Sequence, residues 1–225
     1  MSTPEFTFLQ LARVLSPIDL ILVGCALCAS YFIDPTTSRV TKRTPITSTK
    51  RIAQFLDHAA NIRGVCAARA ALSHVADGAE SPQEVNLFLM MSLPPALGGN
   101  GVGELMLNYD IPVGPMDIPI LDRPDRKCFR IDMGRPTEHK GAEYLGKHHD
   151  LQVDQDRMRL NALLAKGEQI LQVQYADLVD PTRATRLANQ LVTMLGEELP
   201  VRTPSEELAQ ANLIDALFGV GRLQL

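Results

Sequence analysis

Apolar positions in the first eighty residues recur without strict alternation. Leu9, Leu11 and Leu15 precede Pro17, a run from Leu20 to Phe32 follows it, and Ile52, Phe55, Leu56 and Ala59 return at helical spacing. Turn and cap clusters open at Pro35 and Pro45. Together these signals predict a small, mainly helical unit over residues 1–78.

From residue 79 the pattern changes. Ser81-Pro82-Gln83-Glu84 has the form of a capping box with proline at the first helical position, and Val85 to Met91 supply the helix's apolar residues. After a loop rich in proline and glycine, Leu105, Leu107, Tyr109 and Ile111 alternate as one face of a strand. A second strand is expected over Lys127 to Asp132 and a short third over Gly141 to Gly146. Val153, Leu160, Leu163 and Leu164 suit a helix capped by Gly167, and Leu171, Val173 and Tyr175 mark a fourth strand. Two more helices open at Asp180-Pro181, with Ala184, Leu187, Leu191 and Leu195 on one stripe, and at the capping box Thr203 to Glu206. The order α-β-β-β-α-β-α-α predicts an α/β domain over 79–225.

Composition narrows the class. The chain of 225 residues is 45% hydrophobic and 21% charged, as in ordinary globular proteins. Its longest apolar run, Ile21 to Ile33, falls short of the roughly 20 residues a spanning helix needs, and Asp19 and Asp34 flank it, so no membrane partner is expected. The first residues lack the form of a signal peptide, so a cytoplasmic location is expected. Cys25 and Cys28 share a CxxC spacing inside the apolar run and read as buried thiols rather than a zinc or redox site. The net charge of −4 conceals a basic stretch. Between Arg39 and Arg69 seven basic residues, among them Arg43, Lys50 and Arg51, stand against the single acid Asp57. Such a segment suits contact with phosphates, and equally suits a solvated loop followed by an arginine-bearing helix.

Several pieces of the second region recur together in one known group: Glu80 to Glu84, Ile131-Asp132 through Pro136, Glu143-Tyr144 through His148-His149, Asp156 to Leu160, Gly167, and Ile170 through Pro181. In order and spacing, over about 100 residues, they resemble the PD-(D/E)xK restriction-endonuclease-like superfamily, and within it the very-short-patch-repair-like branch found in actinobacteria. The segment from Pro4 to Leu11 also resembles what precedes such domains in longer relatives. The resemblance implies a restriction-endonuclease-like α-β-β-β-α-β core and an endonuclease that hydrolyses duplex DNA with Mg²⁺ or Mn²⁺, in repair or in defence against foreign DNA. It implies Asp132 and Glu143 as metal ligands and catalytic acids, Glu84 as the third acid, His149 as general base or acid, and Lys147, Arg157 and Arg159 beside the phosphate path.

The chemistry accounts for such residues. Phosphodiester cleavage needs charge stabilisation and an activated water, and Mg²⁺ supplies both while asking for only one or two carboxylates. Plainer roles exist for each. Glu84 completes a helix cap, Asp132 can pair with Arg130 or Arg135, Glu143 can be an edge-strand acid, and Arg157 and Arg159 can pair with Asp154 or Asp156. One position departs from the pattern. Leu145 stands where relatives carry an acid or a lysine, and it can neither ligate metal nor orient water. The expected function is therefore a Mg²⁺-dependent endonuclease, with a catalytically degenerate DNA-binding or antitoxin-like regulator as the alternative. Seven Phe, four Tyr and no Trp leave little for stacking single strands, which favours duplex DNA as partner.

Overall fold

The computed structural model describes residues 2–121, 125, 127–145 and 153–219. The chain divides into two compact units, one of residues 1–101 with 202–225 and the other of residues 102–201.

In the first unit, Thr3, Ser16 and Ser48 each turn a hydroxyl oxygen onto the N–H three residues on. They open α1 (Pro4–Leu11), α2 (Pro17–Cys28) and α3 (Thr49–His58). Two more helices follow, α4 (Val65–Leu72) and α5 (Pro82–Ser92). Phe8, Leu9, Leu20, Ile21, Ile52 and Leu56 are buried, as are the free thiols Cys25 and Cys28. The apolar run therefore serves a globular core, and among the described residues no helix is long and apolar enough to cross a membrane. An antiparallel hairpin that the apolar pattern does not announce joins β1 (Tyr31–Ile33) to β2 (Val40–Lys42). Asp34 organises its turn by accepting the N–H groups of Thr36 and Thr37 at 2.8 and 3.0 Å.

The boundary expected near residue 78 does not separate the units. The first unit keeps α5 because the last helix, α9 (Pro204–Phe218), returns to it. Val85, Leu87, Met90 and Met91 of α5 and Leu213, Ile214 and Leu217 of α9 are buried. Asn86 donates to the Leu217 carbonyl at 3.0 Å, and Arg202 donates to Gly99 O at 2.7 Å. Gly98 adopts φ +89°, and any Cβ there would collide with the Ala209 carbonyl.

The second unit carries a four-stranded sheet, β3 (Met106–Pro112), β4 (Cys128–Arg135), β5 (Lys140–Leu145) and β6 (Gln169–Gln174), in that order. The first three run antiparallel and β6 pairs parallel to β5. A parallel pair needs a crossover, and α6 (Val153–Ala165) lies in it. Gly167, at φ +83°, ends this helix, and the next residue donates its N–H to Leu163 O at 3.0 Å. Tyr109, Ile111, Phe129 and Ile131 from the sheet, Leu163 from α6 and Leu121 form the core. After β6 the chain coils at once into α7 (Tyr175–Val179), where alternation predicts more strand, and then into α8 (Pro181–Met194). The unit is mixed α/β.

Candidate functional site

Asp132 and Glu143 lie on neighbouring strands where the sheet's ladder is interrupted. The register of β4 on β5 ends at Met133 opposite Ala142, so its next position would set Asp132 against Glu143. In place of that pair, Asp132 Oδ2 accepts the N–H of Tyr144 at 2.8 Å. The interruption extends to the neighbouring strand. Leu107 pairs with Met133 and Tyr109 with Ile131, while Asn108 and Asp132 between them are skipped, and Asn108 adopts φ +52°. Asparagine tolerates that left-handed backbone better than most residues. Gly134 and Gly141 lie one step further on, and a Cβ on Gly141 would run into the Tyr109 hydroxyl. Tyr109 donates to Lys140 O at 3.3 Å. Burial, joined by the charges of Glu168 and Glu143, raises its phenol above the ordinary range.

Glu143 is 5% exposed, in a strand paired on both sides. It is not an edge-strand acid facing water. Its Oε1 holds Arg159 Nη2 of α6 at 2.5 Å. The same guanidinium donates to Arg130 O at 2.6 Å and lies 5.5 Å from the centre of the Phe129 ring. A buried carboxylate needs such compensation, because an uncompensated charge in this setting costs several kcal/mol. The pairings considered for Asp132 fall elsewhere. Arg130 grips Asp110 at 2.8 Å, and Arg135 binds Glu138, Glu197 and the Gly103 and Leu195 carbonyls. Leu145 is half-buried.

Other candidates have other settings. Glu84 belongs to the first unit, where its N–H donates to the Ser81 hydroxyl at 3.2 Å and its carboxylate accepts the Glu80 N–H at 2.8 Å. It sits in a helix cap. Lys147 and His149 lie outside the described residues. Arg157 pairs with Asp154 at 3.2 Å and remains largely exposed. In the basic stretch Arg43 donates to the Ala26 carbonyl, Arg51 reaches Glu5 at 3.4 Å, and Lys42 pairs with Glu80 at 2.6 Å. Lys50 is exposed beside a groove of about 410 Å³ shared with Asp57 and Arg69.

Two residues gain importance only in the fold. Arg159, expected near phosphate, is the counter-ion of Glu143, and its position 16 residues downstream gives no sequence clue to that pairing. Glu168 is 6% exposed, binds His139 through Oε1 at 2.8 Å, and buries Oε2 without a hydrogen-bond partner.

The arrangement bears on a divalent ion. Among the described residues no three His, Cys, Asp or Glu side chains gather as a metal site. Glu143 is charge-matched by a guanidinium at hydrogen-bonding distance, which repels a dication, and Asp132 has one oxygen on a backbone N–H. The described donor set, with Arg159 on Glu143, does not fit a resident Mg²⁺. Comparison with known proteins finds no matching family model, no similar curated protein and no similar solved structure.

Proposed function

We propose that this protein binds duplex DNA through a restriction-endonuclease-like core and does not hydrolyse it, acting as a regulator of the degenerate, antitoxin-like kind. The observation that carries this reading is the Arg159–Glu143 pair. A nuclease of this class needs that carboxylate for its metal, and here it is engaged by an arginine that also ties α6 to the Arg130 carbonyl. Leu145 removes a further polar group from the same strand. A mixed sheet with a helical crossover supports this reading, and the resemblance is what makes DNA the partner.

A second reading, a Mg²⁺- or Mn²⁺-dependent endonuclease, draws on Asp132 standing next to Glu143 in the continued strand register. Metal would then have to displace Arg159. One experiment separates the two. The full chain is incubated with supercoiled plasmid and Mg²⁺ or Mn²⁺, beside Asp132→Ala and Glu143→Ala variants, and duplex binding is followed at low salt. Binding without cleavage is the expected result. Nicking that both substitutions abolish would establish the nuclease instead, and absence of binding at low salt would remove both readings.

A further inference from the structure

Most of the described arginines of the second unit are committed. Arg130, Arg135, Arg157, Arg159 and Arg183 each hold a carboxylate. Arg186 on α8 is different. Among the described residues of this unit it is the one arginine with no ion-pair partner, and it is exposed. Around it the helix has a consistent design. Ala184, Leu187, Ala188, Leu191 and Val192 are buried and form the inner face. Thr182, Arg186, Asn189 and Thr193 recur at i, i+4, i+7 and i+11 on the opposite face, with Gln190 beside them, and all five are exposed. No acid occurs between Pro181 and Met194. Asn189 and Gln190 make no side-chain hydrogen bond within the described residues.

This chemistry is selective for one kind of partner. The exposed face has no large apolar or aromatic anchor, which a protein interface would centre on. Its groups are those that recognise base edges: arginine spans guanine O6 and N7, asparagine and glutamine span adenine N6 and N7, and threonine meets the thymine methyl. From Thr182 to Thr193 the helix rises about 16 Å, enough to follow some four or five base pairs of a B-form major groove. The deep, narrow major groove of A-form RNA would not admit it. The acid-free surface suits a polyanion and lacks the repulsion that most helices of this protein would present.

We infer that the exposed face of α8 enters the major groove of duplex DNA and reads base edges through Arg186, Asn189 and Gln190. The inference rests on the DNA-binding reading above and adds sequence preference to it. The test selects duplexes from a randomised pool with the full chain at low salt, then compares affinity for the selected duplex with that for mixed-sequence duplex by fluorescence anisotropy. The wild type should prefer the selected duplex at least about tenfold, the discrimination one bidentate contact supplies. The triple variant Arg186→Ala, Asn189→Ala, Gln190→Ala should lose that preference with an unchanged circular-dichroism melt, since all three side chains are exposed. Should it melt early, Asn189→Ala and Gln190→Ala singly are each expected to cut the preference several-fold. A wild type that binds duplex without preference, or variants that keep it, would overturn the inference and leave the DNA-binding reading standing. No duplex binding at all would remove both.

Discussion

Each unit buries a glutamate beside an arginine, and the two solve the problem differently. In the first, Glu5 is 6% exposed and receives the Thr47 hydroxyl at 2.6 Å, while Arg51 stands off at 3.4 Å with most of its side chain in water. In the second, Glu143 is pinned by Arg159, which is itself largely buried and reaches a carbonyl and an aromatic ring as well. A neutral donor with a distant charge makes Glu5 an anchor between α1 and the segment before α3. A charged donor at hydrogen-bonding distance makes Glu143 half of a buried ion pair. Only the second arrangement sets its carboxylate against a largely buried guanidinium.

The largest effect should come from Arg159→Ala, which strands a buried carboxylate and is expected to cost about 3–5 kcal/mol. Urea denaturation measures it, and a loss near zero would mean Glu143 does not depend on Arg159. Thr47→Val removes the neutral donor from Glu5 and should cost about 1–3 kcal/mol, less than the ion-pair change by the same measurement. Arg51→Ala should change stability by no more than about 1 kcal/mol, because the cation is mostly solvated. A loss as large as that of Arg159→Ala would make the two sites equivalent and dissolve the contrast.

Acid titration sharpens the comparison further. Burial alone would raise the Glu5 carboxyl, but the Thr47 hydroxyl, backbone N–H, Thr3 and Arg51 together bring it below its ordinary value. The folded state therefore holds its proton less tightly than the unfolded chain. The stability this contributes is complete above the unfolded value near ~4.3 and is lost as pH falls through the lower folded one. Glu5→Gln should flatten that acid limb, and an unchanged limb would deny Glu5 its part in it. The smallest effect concerns thiols. Burial, with the Asp77 charge, pushes the Cys25 thiol up to about 11 and raises that of Cys28 as well. At neutral pH a chromogenic disulfide reagent should label exposed Cys66 well before either, and equal rates would show that the first unit opens readily.

Much of the second unit was legible in sequence because its signals are local. Alternation over Leu107, Tyr109 and Ile111 marks β3, Gly167 ends α6, and Pro181 opens α8. The β1–β2 hairpin escapes because its strands are three residues long and β2 is wholly exposed, leaving no alternation to read. α7 escapes because Tyr175 continues the period of β6. The return of α9 is a non-local packing decision that no window of sequence contains. The same divide separates the acids from their surroundings. Asp132 and Glu143 stand out as carboxylates in apolar strands, whereas the Arg159 contact and the orphan oxygen of Glu168 exist only once α6 and β6 are docked.

The return of α9 gives the chain an order of assembly. Residues 102–201 are an insertion within the first unit, not its sequel. A ribosome releases the whole insertion before α9, so the sheet is free to form first and the helical unit must wait for that helix. Buried residues of α5 such as Leu87 and Met91 belong to a core that is incomplete until α9 has been made. During that interval the apolar face of α5 lacks its α9 cover, although α5 was made before the whole insertion.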